Sequence, residues 1–251
     1  MRQNLLILAG TPEALALARA AQGAGLSGVV SFAGRVERLP EHPLERRVGG
    51  FGGASGLAAY LGAAGITHVI DATHPFAAQM SANAAAACRA TRTPLLALTR
   101  APWQEAPGDR WTRVADVAGA VAALRRAPAR VMLAVGRTRL VEFAANPQHF
   151  YLLRFVDPAR APQPFPDYEV VVDRGPFTEA ADRALMQARG VGLVVSKNSG
   201  GAGAYAKIAA ARALGLPVIM IDRPPRPARA EVHDAAAALD WAAHAGADLG
   251  V

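Results

Sequence analysis

The stretch Leu5–Ala18, reading LLILAGTPEALALA, decides the fold. Its four apolar residues Leu5–Leu8 form a short run that is typical of a strand buried on both faces. Gly10 breaks that run, and Thr11 is placed to cap a helix whose first residue is Pro12. Apolar residues then recur at helical spacing through the rest of the stretch. The sequence therefore predicts a strand, a tight turn and a helix.

This unit is typical of the start of a nucleotide-binding α/β domain. In such domains the free N–H groups and the dipole at the helix start face a phosphate, which makes Gly10 and Thr11 candidate cofactor-binding residues. The spacing G-x-G-x-x-G is absent. Glu13 adds a negative charge to the first helical turn, either to complement the helix dipole or for a functional reason.

The composition is that of a globular protein. The chain has 251 residues and 52% hydrophobic content, enough for two modest domains or one large one. No apolar run approaches the roughly 20 residues that span a bilayer, and no secretory signal pattern opens the chain. We therefore expect a cytoplasmic protein without membrane contact. Cys88, the single cysteine, lies among alanines on a predicted helix and is expected to be a buried apolar residue.

The net charge of +7 indicates an anionic partner. Nucleic acid is disfavoured, because the arginines are scattered and aromatic content is only 6%. A small, heavily anionic ligand fits better. Lys197 and Lys207 are the only lysines among 27 basic residues, a bias of genomic or functional origin. A retained lysine is of interest because arginine cannot replace a compact, titratable ammonium.

The end of the second predicted strand, Gly28–Phe32, bears on cofactor choice. In dinucleotide-binding folds an acidic residue here binds the ribose 2′-hydroxyl, whereas an arginine with a hydroxyl neighbour accepts a 2′-phosphate. Ser31, Gly34 and Arg35 occupy this position, and no acidic residue does. The sequence therefore predicts NADP (NADPH) rather than NAD. In the alternative interpretation, Arg35 and Arg38 only solvate a loop.

Another predicted strand, Thr67–Ile70, runs into the segment Asp71–Phe76, reading DATHPF. A helix is predicted over Pro75–Ala90. Ligands gather at the carboxyl ends of parallel strands, so Thr73 and His74 are candidate contacts for the nicotinamide and pyrophosphate half of the cofactor. A structural role for His74 is the alternative. The six histidines show no metal-ligand spacing, and no metal is predicted.

Three further loops are rich in glycine or polar residues. The glycines between Arg46 and Tyr60 either let the backbone approach a ligand or form a flexible connection to a helix from Ser55. In the second half, the segments 174–177 (RGPF) and 197–201 (KNSGG) each leave a strand and precede a helix. The P-loop pattern is absent, so NTP hydrolysis has no support.

The alternation of strands and helices restarts after Pro128, which predicts an α/β fold of two doubly wound parallel-sheet domains, residues 1–127 and 128–251. We expect the first to bind NADP and the second to contribute substrate and cofactor contacts. Lys197 and Asn198 are predicted to project into the inter-domain cleft, a preferred place for ligand sites; a solvated loop is the alternative. Besides those given above, strands are predicted at 94–98, 111–114, 131–135, 151–156, 169–172, 192–196 and 217–221, and helices at 116–125, 138–145, 178–189, 202–214 and 234–244.

Five motifs together resemble the precorrin-6A (or cobalt-precorrin-6A) reductase family. They are Gly10-Thr11-x-Glu13-Ala14, FGGxxGL at 51–57, DATHPFA at 71–77, RGPF at 174–177 and KNSGG at 197–201. The resemblance implies two Rossmann-like domains with the active site between them. It also implies NADPH-dependent reduction of one carbon–carbon double bond of the precorrin-6A macrocycle, giving precorrin-6B in cobalamin biosynthesis.

A polyanionic tetrapyrrole substrate suits the positive charge of the chain, and no nucleic-acid or membrane partner is expected. Asp157, His74, Tyr205 or water could supply the proton that the reduction needs. The alternatives are another NADP-dependent oxidoreductase, a nucleotide-sugar enzyme or a basic nucleic-acid-binding protein; the presence of cobalt in the substrate and the oligomeric state stay open. The predicted site residues are His74 and Lys197 for catalysis, Gly10, Thr11, Ser31, Gly34, Arg35, Thr73 and His74 for the cofactor, and Arg174, Lys197, Asn198, Ser199, Gly200 and Gly201 for the substrate.

Overall fold

The computed structural model describes residues 3–34, 41–159, 161–173 and 175–244. The chain forms two compact units: unit 1 consists of Met1–Ala101 and Pro225–Val251, and unit 2 of Pro102–Pro224. Each unit contains one six-stranded sheet, and every strand pairing in both sheets is parallel. The predicted α/β class, with two doubly wound sheets, is confirmed.

Unit 1 has the strand order β12-β5-β4-β1-β2-β3. Helices α1 and α8 pack together on one face of the sheet, and α2 and α3 pack together on the other. The elements are β1 (Asn4–Leu8), α1 (Pro12–Gly23), β2 (Ser27–Phe32), β3 (Glu45–Val48), α2 (Gly53–Ala63), β4 (His68–Asp71), α3 (Ala78–Thr91), β5 (Leu95–Leu98), β12 (Ala230–Val232) and α8 (Ala235–His244).

Strand β1 is buried on both faces, as the apolar run predicts. Leu5 and Ile7 belong to the core that α1 and α8 cover, and Leu6 and Leu8 belong to the core that α2 and α3 cover. All four are at most 2% exposed. Cys88 on α3 is also buried, and burial together with the negative charge of Asp71 raises the pKa of its thiol to about 12.

Unit 2 has the strand order β6-β11-β10-β7-β8-β9. Helices α6 and α7 pack against each other, as do α4 and α5. The elements are β6 (Trp111–Val114), α4 (Val117–Ala123), β7 (Arg130–Ala134), a 3-10 turn (Arg137–Arg139), α5 (Leu140–Phe143), β8 (Phe150–Phe155), β9 (Tyr168–Val172), α6 (Glu179–Ala188), β10 (Leu193–Lys197), α7 (Ala206–Ala213) and β11 (Val218–Ile221).

The predicted boundary between residues 127 and 128 differs from the structure. Strand β6, placed by that boundary in the first domain, pairs with β11 of unit 2. Strand β12, placed in the second domain, pairs with β5 of unit 1, and α8 packs on α1. The chain leaves unit 1 after residue 101 and returns at 225. A short strand joins whichever sheet edge its backbone can pair with, and alternation along the sequence does not encode that choice.

Other differences concern short or exposed elements. Strands β3 (ERRV) and β12 (AEV) were not predicted; both lie at sheet edges and are largely exposed, so they lack an apolar pattern. Helix α3 begins at Ala78 rather than Pro75, and α7 begins at Ala206 rather than Ala202. Among the described residues, no helix has both the length and the apolar character needed to cross a membrane.

Candidate functional site

The two halves of the unit 1 sheet meet between β1 and β4. Read from β3, the order is 3-2-1-4-5 followed by β12, so successive strands run outward in opposite directions from this point. In open parallel sheets a crevice for ligands forms at the carboxyl ends of such strands. A Cβ at Gly10, after β1, would lie 3.3 Å from the backbone N of His74, after β4. Gly10 therefore permits the two turns to approach closely.

Thr11 links these turns through its hydroxyl. Oγ1 accepts a 3.3 Å hydrogen bond from the backbone N–H of Ala14 and donates a 2.9 Å bond to the carbonyl oxygen of Ala72. Thr11 is thus the predicted N-cap of α1. Its hydroxyl proton is already used, so Thr11 fixes the turn rather than donating its proton to a phosphate. Glu13 in the first helical turn lies 3.8 Å from Arg100, which offsets its charge.

Asp71, at the end of β4, is the centre of a buried polar cluster. Its Oδ1 accepts hydrogen bonds from the backbone N–H of Thr73 at 3.1 Å and from the Thr73 hydroxyl at 2.6 Å. Its Oδ2 accepts from the Ser81 hydroxyl and from Nη1 of Arg229, each at 2.6 Å. The side chains of Asp71 and Arg229 are 0% and 2% exposed. Because Asp71 takes both donors of Thr73, only the acceptor capacity of the Thr73 hydroxyl is left for a ligand.

His74 follows Thr73 in the same turn. Its Nδ1 accepts a 3.2 Å hydrogen bond from the backbone N–H of Phe76, so the neutral ring carries its proton on Nε2. Its carbonyl oxygen accepts from the backbone N–H of Ala77 at 2.8 Å and from Nη2 of Arg226 at 2.7 Å. The turn thus holds His74 in one tautomer, with Nε2–H as its donor.

The return segment, residues 225–229, supplies both arginines of this cluster. Arg226 binds the carbonyl of His74, and Arg229 binds Asp71. Burial lowers the pKa of the Arg226 guanidinium. Neither residue was predicted from the sequence, although the segment 223–229 (RPPRPAR) carries a signal, namely arginines spaced along a proline-rich stretch.

The candidate adenosine end of the site lies at the carboxyl end of β2. Ser31 is buried. Gly34 adopts a φ of 73°, and a Cβ added to Gly34 would lie 3.3 Å from Cγ1 of Val48. Arg35, predicted here, lies outside the described residues. Arg47 on β3 pairs with Ser31 across the sheet and was missed by the sequence analysis.

In unit 2 the strand order reverses between β7 and β10. Lys197 is the last residue of β10, and the turn 198–201 follows it. Gly200 and Gly201 adopt left-handed φ values of 67° and 69°, which glycine takes without strain. The predicted polar turn is therefore at the carboxyl edge of this sheet, where Lys197, Ser199, Gly200 and Gly201 remain candidate substrate contacts.

Asn198 shapes this turn. Its Oδ1 accepts a 2.8 Å hydrogen bond from the backbone N–H of Trp103, and its Nδ2 donates a 2.9 Å bond to the Trp103 carbonyl. The indole N–H of Trp103 donates to the Gly201 carbonyl at 2.7 Å. Arg223 donates to the carbonyls of Asn198 and Ser199 at 3.0 and 3.1 Å. Asn198 is buried, and its amide is mostly occupied in holding the turn.

The remaining predicted residues are placed as follows. Asp157 is buried in unit 2. The Tyr205 hydroxyl accepts a hydrogen bond from Arg212, whose guanidinium has a raised pKa, chiefly because it also donates to Asp109. Arg174 lies outside the described residues. Within the described ranges, no three His, Cys, Asp or Glu side chains come together as a metal site requires.

The family model described as precorrin-6x reductase CbiJ/CobK matches residues 4–243. The chain belongs to the precorrin-6x reductase family. The resemblance predicted from the five motifs is therefore confirmed. The match extends from β1 to within α8, so both crossings between the units lie inside the family's common sequence.

Two members of the precorrin-6x reductase family and one solved structure are similar to this chain over nearly their whole length. A precorrin-6A reductase of Rhodobacter capsulatus is 54% identical over 244 residues, covering 97% of each chain. A precorrin-6A reductase of Rhodococcus erythropolis is 45% identical over 241 residues, covering 95% of this chain and 96% of the relative. A solved structure of CobK precorrin-6A reductase aligns with a TM-score of 0.93, at 54% identity and 97% coverage of both chains.

Proposed function

We propose that the chain is a precorrin-6A reductase, which uses NADPH to reduce one carbon–carbon double bond of the precorrin-6A macrocycle and gives precorrin-6B. The observation that carries the proposal is 54% identity over 97% of both chains to a precorrin-6A reductase. We take metal-free precorrin-6A as the substrate, because that is how the relative is named.

The residues of unit 1 fit a nicotinamide cofactor. Its strand order has the reversal at which dinucleotides bind, and Gly10 keeps the crevice clear of side chain. No acidic residue follows Ser31 directly, which favours the 2′-phosphate of NADPH over the free ribose of NADH. When bound, NADPH supplies the hydride. We propose that Thr73 and His74 orient its reacting half, because the Asp71 cluster holds their turn rigidly.

The turn at 197–201 is proposed to bind the macrocycle. The carboxylate arms of the macrocycle are anionic, and the chain carries a net charge of +7. The Lys197 ammonium is proposed to offset charge that develops on the conjugated ring as hydride arrives. Asn198 contributes by fixing the turn through Trp103 rather than by direct contact. The proposed substrate contacts are Arg174, Lys197, Ser199, Gly200 and Gly201.

The test mixes purified protein with NADPH and precorrin-6A and follows both absorption spectra. We expect one NADPH to be oxidised for each macrocycle that gains two hydrogen atoms by mass spectrometry. Cobalt-precorrin-6A, assayed in parallel, is expected to react more slowly. Absence of turnover by folded protein with the metal-free substrate would overturn the proposal.

A variant locates the chemistry. Lys197→Met is expected to lower kcat more than it raises KM, because the lost charge matters most in the transition state. Arg113→Met, which removes an exposed cation of unit 2, is the matched control and should leave both constants unchanged. A rise in KM alone would assign Lys197 to binding a carboxylate arm.

A further inference from the structure

Arg47 lies at the carboxyl edge of the unit 1 sheet, beside the end of β2. Strands β2 and β3 are parallel, and Ser31 and Arg47 are partners in their register. Nη1 of Arg47 lies 3.4 Å from the Ser31 hydroxyl oxygen. The structure thus places a cation next to the hydroxyl that the sequence analysis associates with the cofactor's ribose.

The Arg47 guanidinium is held in one orientation. Nη1 donates a 2.7 Å hydrogen bond to the carbonyl of Gly49, and Nη2 donates a 2.8 Å bond to that of Gly50. The guanidinium carbon also stacks 3.7 Å from the centre of the Phe51 ring. Gly49 has a φ of 117°, a conformation that favours glycine. A planar cation fixed in this way loses little side-chain entropy when an anion binds.

Arg47 keeps donors for a ligand. Of its five N–H groups, the contacts with Ser31, Gly49 and Gly50 use three. Nε–H and one N–H of Nη2 have no hydrogen-bond partner among the described residues. In the same protein Arg212 uses Nε and Nη2 to hold the two carboxylate oxygens of Asp109, at 2.9 and 3.1 Å. A phosphate presents two oxygens with the same spacing.

We propose that Arg47 binds the 2′-phosphate of NADPH and is the residue of unit 1 that selects NADPH over NADH. This inference rests on the proposed function, because it takes a nicotinamide dinucleotide as the ligand of unit 1. It differs from the sequence prediction, which gives that role to Arg35. Phosphate binding here is bidentate, through a guanidinium that the glycine-rich loop after β3 orients. Two of the glycines between Arg46 and Tyr60 thereby acquire a function: the carbonyls of Gly49 and Gly50 orient the arginine.

The test measures dissociation constants of NADPH and NADH for the whole protein. Arg47→Met is expected to weaken NADPH binding by about 10- to 100-fold, the effect of losing a charge-assisted bidentate contact, and to change NADH binding by less than about twofold. Arg47→Lys keeps the charge but not the forked guanidinium, so its NADPH dissociation constant should lie between those of the wild type and Arg47→Met. Arg46→Met, a neighbouring arginine whose side chain alternates to the other face of β3, is the control and should bind both cofactors normally.

Equal weakening of NADPH and NADH by Arg47→Met would overturn the inference, because a purely structural role in the loop affects both. An unchanged preference for NADPH would also overturn it, and a parallel Arg35→Met variant would then show whether Arg35 selects the cofactor. If Arg47→Met does not fold, Arg47→Lys and competition of 2′-phosphorylated against unphosphorylated AMP on the wild type decide the question. The two proposals fail separately. If the wild type reduces precorrin-6A with NADPH and Arg47→Met still prefers NADPH over NADH, the inference is refuted and the proposed function stands.

Discussion

At Asp71, four donors converge on one buried carboxylate, and Arg229 is the only cation among them. Replacement of Arg229 by Met removes the paired cation from this buried carboxylate, with which Arg226 still interacts electrostatically. We expect the free energy of unfolding to fall by about 3 to 5 kcal/mol, the usual cost of breaking a buried ion pair from one side. Denaturant unfolding followed by circular dichroism measures the change.

The exposed pair Arg113–Asp222 provides the control for this measurement. Arg113 is 62% exposed and lies 2.8 Å from its partner, so Arg113→Met should cost no more than about 1 kcal/mol. Combining Arg229→Met with Asp71→Asn removes both charges and should recover part of the loss. A loss for Arg229→Met as small as that for Arg113→Met would contradict a stabilising ion pair between Arg229 and Asp71.

His68 makes stability depend on pH. It is buried on β4 against the edge of Trp241, with ring centres 5.5 Å apart, and burial lowers its pKa below 6.5. The unfolded chain therefore takes up a proton at a higher pH than the folded protein does. The stabilisation is present above about pH 6.5 and is lost as the pH falls through the lower, folded-state pKa.

We expect His68→Gln to flatten the acid side of a plot of unfolding free energy against pH. His244→Gln changes an exposed histidine at the end of α8, and its plot should match the wild type. An unchanged slope in His68→Gln would mean that His68 does not stay neutral in the folded protein.

At the scale of elements, the turn between β10 and α7 depends on Asn198. The Asn198 amide hydrogen-bonds both the N–H and the carbonyl of Trp103. Trp103 lies outside the helices and strands, so these two backbone groups have no partner in a helix or sheet. Asn198→Ala leaves two buried backbone groups without partners, each costing about 1 to 3 kcal/mol. We expect a lower melting temperature by calorimetry and, because Lys197 precedes the turn, a lower kcat.

Ser199→Ala is the matched control for Asn198→Ala. The Ser199 hydroxyl makes only a 3.5 Å contact with the Lys197 carbonyl, so its loss should leave the melting temperature almost unchanged. If Asn198→Ala retained its melting temperature but bound precorrin-6A weakly, Asn198 would instead be a direct substrate contact, as the sequence analysis predicts.

Elements with a strong apolar signal were predictable from the sequence. Strand β1 and the Thr11 cap of α1 follow from local rules, and the structure has both. Strands β3 and β12 were missed, because exposed edge strands carry no apolar alternation. The polar turns at Thr73 and Lys197 were found at strand ends. Their supporting arginines were not, because the pairing of Arg229 with Asp71 spans 158 residues and leaves no local pattern.

At the scale of the whole molecule, two α/β units and their parallel sheets were predictable, whereas the division of the chain between them was not. Alternating strands and helices predict sheets, but they do not show which edge the last strand joins. The chain supplies β12 and α8 to unit 1 after completing unit 2. Residues 225–229, which return the chain to unit 1, include Arg226 and Arg229. The division of the chain between the units therefore also explains how the Asp71 cluster is assembled.

This division also sets the order in which the units are finished on the ribosome. Unit 2 emerges in one continuous run, from Pro102 to Pro224. The first 101 residues must wait for that run, which takes on the order of ten seconds at about 5–20 residues per second. Throughout the wait, strand β5 presents an unpaired edge and Asp71 lacks its arginine. Because an unpaired strand edge can pair with another chain, we expect the nascent protein to be open to aggregation while its second unit is being made.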